Sequence, residues 1–398
     1  MLIKSFGTTI LKRTYSSEIA QELVSKARSA AGGNASASYI WSKLHPGLSP
    51  SHSFDIHKNC YSEVYTGVDD VKPAWIPTKE IAEQTNISKV MTKNGFSSYE
   101  KFYAWSVGTE SRDKFWTQSA KNVGIDWEIE PSATFDISDG VAHVKYFPDG
   151  RLNIVDSCFN KRNPFEAALV YSMETEPRNL REMSFRTLDC LSNQIANGIT
   201  DKLGLNPGDA VGICMPMTPE SIAVYLGIVK AGCVVTSIAD SFSSDEIAMR
   251  CRLSNTKAVF TQDVVFRGAK YLPLFERVLD ADKKIYDTKE KDCQSMKIIV
   301  LPGMLHANSY PNVLKDEKGS TWTDRDRDGK EISIHTSVLS SIRKNHDMSW
   351  YTFLDLCSEE YTSIKRSAMD PCNILFSSGT TGEPKAIVWS HSTPIKVR

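Results

Sequence analysis

The chain has 398 residues, 41% hydrophobic and 24% charged, which is enough sequence for two or three domains with a real core. Its formal net charge of −1 gives no electrostatic footprint for nucleic acid, and no apolar run is long enough to span a membrane. The nine cysteines form no CxxC pair, so the sequence suits a reducing compartment and predicts neither a disulfide framework nor a zinc site.

The first part of the chain, residues 1–150, is predicted to be a mostly helical, irregular region. Apolar residues recur every four positions at Ile19, Leu23 and Ala27, which predicts a helix over 16–30 that ends at two glycines. Aromatic residues are then spread from 38 to 132, a distribution more typical of a core of short helices than of a ligand site. Two of these helices are predicted at 99–108 and 112–122.

Strands and helices alternate from about residue 165 onwards. A buried-type strand is predicted at 167–171, and further strands are predicted at 210–214, 233–238, 258–260 and 297–301. Between them, one helix places Leu188, Leu191, Ile195, Ile199 and Leu203 on one face, a second begins at Thr218 and Pro219, and a third opens with the capping box Ser243–Glu246. Such alternation implies right-handed crossovers and a parallel sheet covered on both faces, so the fold class is α/β.

A charged, glycine-containing segment interrupts this pattern at residues 315–330 and reads as an exposed insertion. Asp324 to Gly329 begins like a calcium-binding loop. Its twelfth position is His335, where a bidentate glutamate is required, and two arginines offset the negative charge. We therefore predict a solvated loop here and assign no metal ligands.

The main candidate binding site is the loop after the apolar run Ile374–Phe376, which is dense in glycine, serine and threonine. Its glycines let the backbone take unusual conformations close to a ligand, its hydroxyls donate hydrogen bonds, and its lysine supplies a point charge suited to phosphate. The candidate binding residues are Ser377, Ser378, Gly379, Thr380, Thr381, Gly382 and Lys385. The spacing differs from the GxxxxGK[ST] loop, and the alternative is a plain solvated turn between two strands.

The ordered string Ser-Ser-Gly-Thr-Thr-Gly-x-Pro-Lys, from Ser377 to Lys385, resembles the phosphate loop of the adenylate-forming superfamily. That superfamily includes acyl-CoA synthetases, luciferases and nonribosomal adenylation domains. The resemblance implies binding of ATP, adenylation of a small-molecule carboxylic acid, and transfer of the acyl group to coenzyme A. It places Thr380 and Thr381 nearest the triphosphate. His391 stands where many members have a histidine near the acyl pocket, and a surface or capping histidine is the alternative.

Further segments extend the resemblance over roughly residues 150–395. Met183–Leu188 and Leu226–Gly232 resemble two structural core motifs, and Leu152-Asn153 resembles a pair that precedes the adenylation domain of acetyl-CoA synthetases. Ser237–Ser243 and Ala258–Asp263 look most like plant-type peroxisomal acyl-activating enzymes. The implied organisation is a cap region at 1–150 and a partial AMP-binding domain at 151–398, the parallel-sheet lobe of an incomplete fold.

Several motifs of the superfamily are not found in these 398 residues. They include an aromatic-Gly-x-Thr-Glu motif for adenine and magnesium, an aspartate for the ribose, and the adenylation lysine. We therefore expect the acyl-CoA ligase lineage, a magnesium ligand lying outside this sequence, and no adenylation by the chain alone. The alternative is a non-catalytic isoform or pseudo-enzyme with at most weak nucleotide binding. The ending Lys396-Val397-Arg398 is no peroxisomal tripeptide, so peroxisome and cytoplasm both remain open.

Overall fold

A computed structural model shows the chain as two compact units, residues 1–105 and 106–398. The structure describes residues 2–173, 176–267, 270–287, 295–303, 314–315, 322–325, 331–333, 341–377 and 383–396. The boundary between a cap region and an AMP-binding domain, predicted between residues 150 and 151, does not correspond to this division into compact units. It stays a prediction.

The first unit is helical, as predicted. Its helices are α1 (Leu2–Ala31), α2 (Ala37–Leu44), α3 (Phe54–Val64), α4 (Lys79–Gln84), α5 (Asn86–Lys93) and the beginning of α6 (Tyr99–Val107). Helix α1 begins earlier than predicted and ends where predicted, before Gly32, whose φ of +87° is accessible to glycine. Ala20 and Val24 of α1 are buried against α2 and α3, and the predicted stripe Ile19, Leu23 and Ala27 packs at the edge of that core.

The aromatic side chains of this unit divide between core and surface. Trp41 and Tyr65 are buried, and their polar atoms donate to the carbonyls of residues 74 and 73 at 2.7 and 2.9 Å. Trp75, Tyr99 and Tyr103 are instead more than half exposed. The expectation of an aromatic core is therefore confirmed for the helices α2 and α3. It is wrong for these three residues, because Tyr99 and Tyr103 lie on an exposed face of α6 and Trp75 lies outside the helices.

The second unit contains the remaining elements. The helices are α7 (Arg112–Val123), α8 (Asp156–Phe159), α9 (Phe185–Asn197), α10 (Pro219–Lys230), α11 (Ser244–Leu253), α12 (Leu274–Asp287), α13 (Trp350–Leu354) and α14 (Thr393–Lys396). The strands of its main sheet are β7 (Ala210–Cys214), β8 (Val234–Ile238), β9 (Thr256–Gln262), β12 (Lys297–Leu301), β16 (Met348–Ser349), β18 (Pro371–Phe376) and β19 (Ala386–Ser390). The other strands are β1 (Trp127–Ile129), β2 (Phe135–Asp136), β3 (Lys145–Tyr146), β4 (Arg151–Leu152), β5 (Ala167–Met173), β6 (Glu176–Ser184), β10 (Val265–Arg267), β11 (Lys270–Leu272), β13 (Leu314–Lys315), β14 (Trp322–Arg325), β15 (Glu331–Ser333) and β17 (Arg366–Ser367).

The main sheet has seven strands in the order β16-β12-β9-β7-β8-β18-β19. All neighbouring pairs are parallel except β18 and β19, which pair antiparallel. The predicted parallel sheet is therefore confirmed, with one antiparallel strand at its edge. The crossovers α10 and α11 begin at the predicted caps, since Thr218 and Ser243 each accept a hydrogen bond from the backbone of the third helical residue.

Both faces of the sheet are covered, because successive side chains of its strands enter two different cores. Phe260 and Ile299 belong to a core with α9 and α10, whereas their neighbours Val259 and Ile298 belong to a core with α11 and α12. The five apolar residues predicted on one face of α9 and the turn after it are all buried in the first core. This double coverage fixes the strand register, since a slip by one residue exchanges the two cores.

One predicted strand has a different environment. Residues 167–171 lie in β5, which pairs antiparallel with β6 and is outside the main sheet. Val170 is 59% exposed, while Leu169 and Tyr171 pack against the core beside α9. The prediction of a buried strand was wrong because a short apolar run does not reveal that one of its faces, with Val170, is exposed.

The predicted insertion forms, where it is described, a small antiparallel sheet of β13, β14 and β15. Residues 326–330 of the calcium-like segment lie outside the described residues, so its interpretation as a solvated loop stays a prediction. Within the described ranges no group of three or more His, Cys, Asp or Glu side chains is arranged to hold a metal ion. Among the described helices, none combines the length and hydrophobicity needed to cross a membrane.

Candidate functional site

The candidate loop lies at the carboxyl end of β18, a strand of the parallel sheet. Asn373 and Ile374 of β18 pair with β8, and Phe376 ends the strand opposite Ala386 of β19. In open α/β sheets, ligands bind outside the carboxyl ends of the strands. The predicted position of the loop in the fold is therefore confirmed.

The two ends of the loop are joined by a pair of hydrogen bonds. The amide of Ser377 donates to the carbonyl of Lys385 at 3.0 Å, and the amide of Lys385 donates to Oγ of Ser377 at 3.1 Å. The first bond extends the pairing of β18 and β19 by one backbone hydrogen bond, and the second uses the serine hydroxyl. Together they hold Ser377 and Lys385 side by side, with the lysine side chain exposed. Ser378, Gly379, Thr380, Thr381 and Gly382 lie outside the described residues, so their predicted contacts with phosphate stay predictions.

Helix α11 contacts both ends of this loop. Arg252 forms an ion pair with Glu383 at 3.7 Å, and the guanidinium carbon of Arg250 lies 5.6 Å from the ring centre of Phe376. Sequence reasoning assigned no role to these arginines. The sequence around these arginines predicts an ordinary exposed helix and gives no indication of a role at the loop. Only the tertiary fold brings them to it.

His391, the proposed acyl-pocket residue, is fully buried one residue after β19. Its Nδ1 accepts a hydrogen bond from the amide of Ile154 at 3.2 Å, while Nε2 is buried without a hydrogen-bond partner among the described residues. Burial, and secondly the charge of Arg366, lower the pKa of His391 to about 4, so the ring is neutral at pH 7. A surface position is excluded, and a place beside the acyl group stays a prediction.

The strands around the loop are anchored by buried amides. Asn373 on β18 accepts a hydrogen bond at 3.0 Å from Ser237 on β8. Asn153, the second residue of the Leu-Asn pair, donates to the carbonyls of Val229 at 2.7 Å and Ile364 at 2.9 Å. Because each amide joins segments that are distant in sequence, these residues position the sheet edge on which the loop is built.

Together these features define an α/β protein with a candidate phosphate-binding loop at the carboxyl end of a doubly covered parallel sheet. The family model described as AMP-binding enzyme matches residues 159–396, and the acetyl-coenzyme A synthetase N-terminus model matches residues 99–158. The chain belongs to the AMP-binding enzyme family, within the adenylate-forming superfamily. The resemblance inferred from the loop and the core motifs is thus confirmed.

Similar curated proteins include two plant enzymes and a bacterial one. The chain is 32% identical to the probable acyl-activating enzyme 17, peroxisomal, of Arabidopsis thaliana, over 89% of this chain and 45% of that protein. It is 32% identical to the hexanoyl-CoA synthase of Cannabis sativa, over 88% of this chain and 45% of that protein. It is 29% identical to the acetyl-coenzyme A synthetase of Pseudoalteromonas atlantica, over 75% of this chain and 40% of that protein.

A solved structure shows the same fold. The acetoacetyl-CoA synthetase from Streptomyces lividans superposes with a TM-score of 0.63 at 20% identity, covering 81% of this chain and 44% of that one. The chain therefore spans a little under half the length of the relatives it matches.

Proposed function

We propose that this chain carries the ATP-phosphate-binding lobe of an acyl-CoA ligase. In that reaction a carboxylate oxygen attacks the α-phosphorus of ATP, pyrophosphate leaves, and an acyl-adenylate forms. The sulfur of coenzyme A then attacks the acyl carbon, and AMP leaves as the thioester forms. The observation that carries the proposal is the closed loop at the end of β18, where Ser377 and Lys385 are held together by two hydrogen bonds.

The proposed roles follow from the chemistry of the loop residues. Ser377, Ser378, Thr380 and Thr381 donate hydroxyl hydrogen bonds to phosphate oxygens, and the two loop glycines let backbone amides approach them. The exposed ammonium of Lys385 supplies positive charge that follows the phosphates. His391 serves the acyl pocket as a neutral wall residue in this proposal, because its low pKa rules out a cationic role at pH 7.

We also propose a division of labour along the chain. Residues 1–150 form the cap region and residues 151–398 form the part of the AMP-binding domain that holds the phosphates. Stabilising a transferring phosphoryl group requires donors on several sides, and the adenine, ribose and magnesium motifs are not found in these 398 residues. The chain by itself therefore binds ATP, with Mg²⁺ accompanying it, but does not complete adenylation.

Nucleotide binding by the purified chain tests this proposal. Isothermal titration is expected to show ATP binding more tightly than adenosine, and Lys385→Ala is expected to weaken ATP binding about tenfold without changing adenosine binding. Lys283, an exposed lysine on α12, provides the matched control: Lys283→Ala should leave the affinities for ATP and adenosine unchanged. Equal affinities for ATP and adenosine, or an unaffected Lys385→Ala variant, refute the phosphate-site assignment.

Acyl-dependent exchange between ATP and pyrophosphate distinguishes the two candidate functions. Binding of ATP without exchange supports a phosphate-binding lobe that needs further groups, and exchange by this chain alone overturns that division of labour. The second candidate, a non-catalytic nucleotide-binding isoform, is favoured if the native protein ends at Arg398, which mass spectrometry of its C-terminal peptide decides.

The compartment is part of the proposal. Two of the similar plant enzymes are named as peroxisomal. We propose the peroxisome, with the cytoplasm as the alternative, and imaging of the native protein against a peroxisomal marker decides between them.

A further inference from the structure

Arg250 on α11 has an environment that is unusual for a cation. The residue is 6% exposed, and its guanidinium carbon lies 3.9 Å from the ring centre of Phe242 and 5.6 Å from that of Phe376. Its Nη1 donates to the carbonyl of Glu246 at 2.9 Å. Its Nε is buried and has no hydrogen-bond partner in the part of the chain that the structure describes.

The charge of Arg250 is not neutralised by an ion pair. No carboxylate among the described residues lies within 4.0 Å of its guanidinium nitrogens, whereas neighbouring Arg252 pairs with Glu383. The carboxylate of Glu246, one turn earlier on α11, interacts electrostatically with this charge, but its hydrogen bonds go to Ser243. A buried cation without a direct ion pair is costly, and two aromatic faces and one carbonyl offset only part of that cost. An anion that binds nearby therefore gains free energy from a charge that the fold has already desolvated.

The neighbour of Arg250 locates this charge at the loop. Phe376 is the last residue of β18 and directly precedes Ser377, whose amide and hydroxyl close the loop against Lys385. Phe376 thus connects Arg250 to Ser377, the residue that begins the loop. On the other end of the loop, the Arg252–Glu383 ion pair makes a second link to α11.

We propose that Arg250 is a positioning residue of the phosphate site. Its guanidinium fixes Phe376, and with it Ser377, and it supplies positive charge from inside the protein that complements the exposed charge of Lys385. This inference rests on the proposed function, because it assumes that the loop binds a polyphosphate. It adds a group that no motif contains and predicts that α11 contributes to selectivity for ATP over uncharged nucleosides.

Two substitutions of Arg250 test the role of its charge. Arg250→Met removes the charge and keeps the aliphatic stem, and it is expected to weaken ATP binding about tenfold while adenosine affinity stays within about twofold. Arg250→Lys keeps the charge and is expected to restore ATP affinity to within about threefold of wild type. Arg186→Met, at an exposed arginine on α9, is the matched control.

The ratio of the affinities for ATP and adenosine distinguishes a purely structural role of Arg250 from a role in the phosphate site. Simple loss of packing lowers both affinities or the melting temperature, and leaves the ratio unchanged. If Arg250→Met does not fold, Phe376→Leu decides, because it keeps the arginine but removes the aromatic ring that the arginine contacts next to Ser377. That variant is expected to lose ATP affinity three- to tenfold, and an unchanged ratio overturns the proposal.

The affinities of the wild-type chain distinguish failure of the proposed phosphate site from failure of the role of Arg250. If wild type binds ATP no better than adenosine, the proposed function fails and the role of Arg250 fails with it. If wild type prefers ATP and Arg250→Met keeps the full preference, the phosphate site stands and only the role of Arg250 is overturned.

Discussion

Acid is expected to destabilise the second unit through His391. Burial holds the pKa of this histidine at about 4 in the folded protein, against an ordinary value of 6.5. Below pH 6.5 the unfolded chain takes up a proton that the folded chain refuses, so the free energy of unfolding falls as the pH drops from 6.5 towards 4. With these two pKa values, the loss between pH 7.5 and pH 4.5 is about 2.5 kcal/mol from this one group.

His391→Asn isolates that contribution. The asparagine side chain can accept the hydrogen bond from the amide of Ile154 in place of Nδ1, and it does not titrate. Urea unfolding, followed by circular dichroism at pH 7.5, 6.5, 5.5 and 4.5, gives the free energy of unfolding of both proteins. The variant is expected to be less stable at pH 7.5, because it leaves a small cavity, and to lose less stability on acidification.

The difference between the two pH profiles is the decisive quantity, since all other titrating groups are common to both proteins. Wild type should lose about 2.5 kcal/mol more than His391→Asn over this range. Parallel profiles refute the reasoning, because they mean that the imidazole takes up its proton equally easily in the folded and unfolded states.

Three other perturbations have expected outcomes. Gly198→Ala places a methyl group 2.5 Å from the ring of Phe353, so we expect a loss of about 2 kcal/mol in urea unfolding, partly restored by adding Phe353→Leu. Asn153→Leu leaves buried carbonyls without their donor and should cost on the order of 3 kcal/mol, with stability near wild type arguing against the anchoring role. Ile387 and Val388 are 46% and 56% exposed and should make the isolated chain self-associate. The double variant Ile387→Lys with Val388→Thr should shift the sedimentation of the chain towards monomer. A monodisperse wild type contradicts this expectation.

The sequence determined the features that depend on neighbours in the chain. The caps at Thr218 and Ser243 are hydrogen bonds to residues three positions later, and the stripe on α9 follows the helical period, so both could be predicted correctly. The loop from Ser377 to Lys385 is likewise a contiguous string. Its residue types and order indicated the family before any contact was known.

The tertiary structure decided the contacts between distant residues. His391 meets Ile154 across 237 residues, and Arg250 reaches the loop only because α11 follows β8, the strand that pairs with β18. The same limit explains why the prediction of a buried strand at β5 was wrong, since the residues of β5 do not reveal that Val170 lies on an exposed face. Local hydrogen bonds and periodicity are encoded within a few residues, whereas burial of a charge or an imidazole depends on which segments the complete fold packs around it.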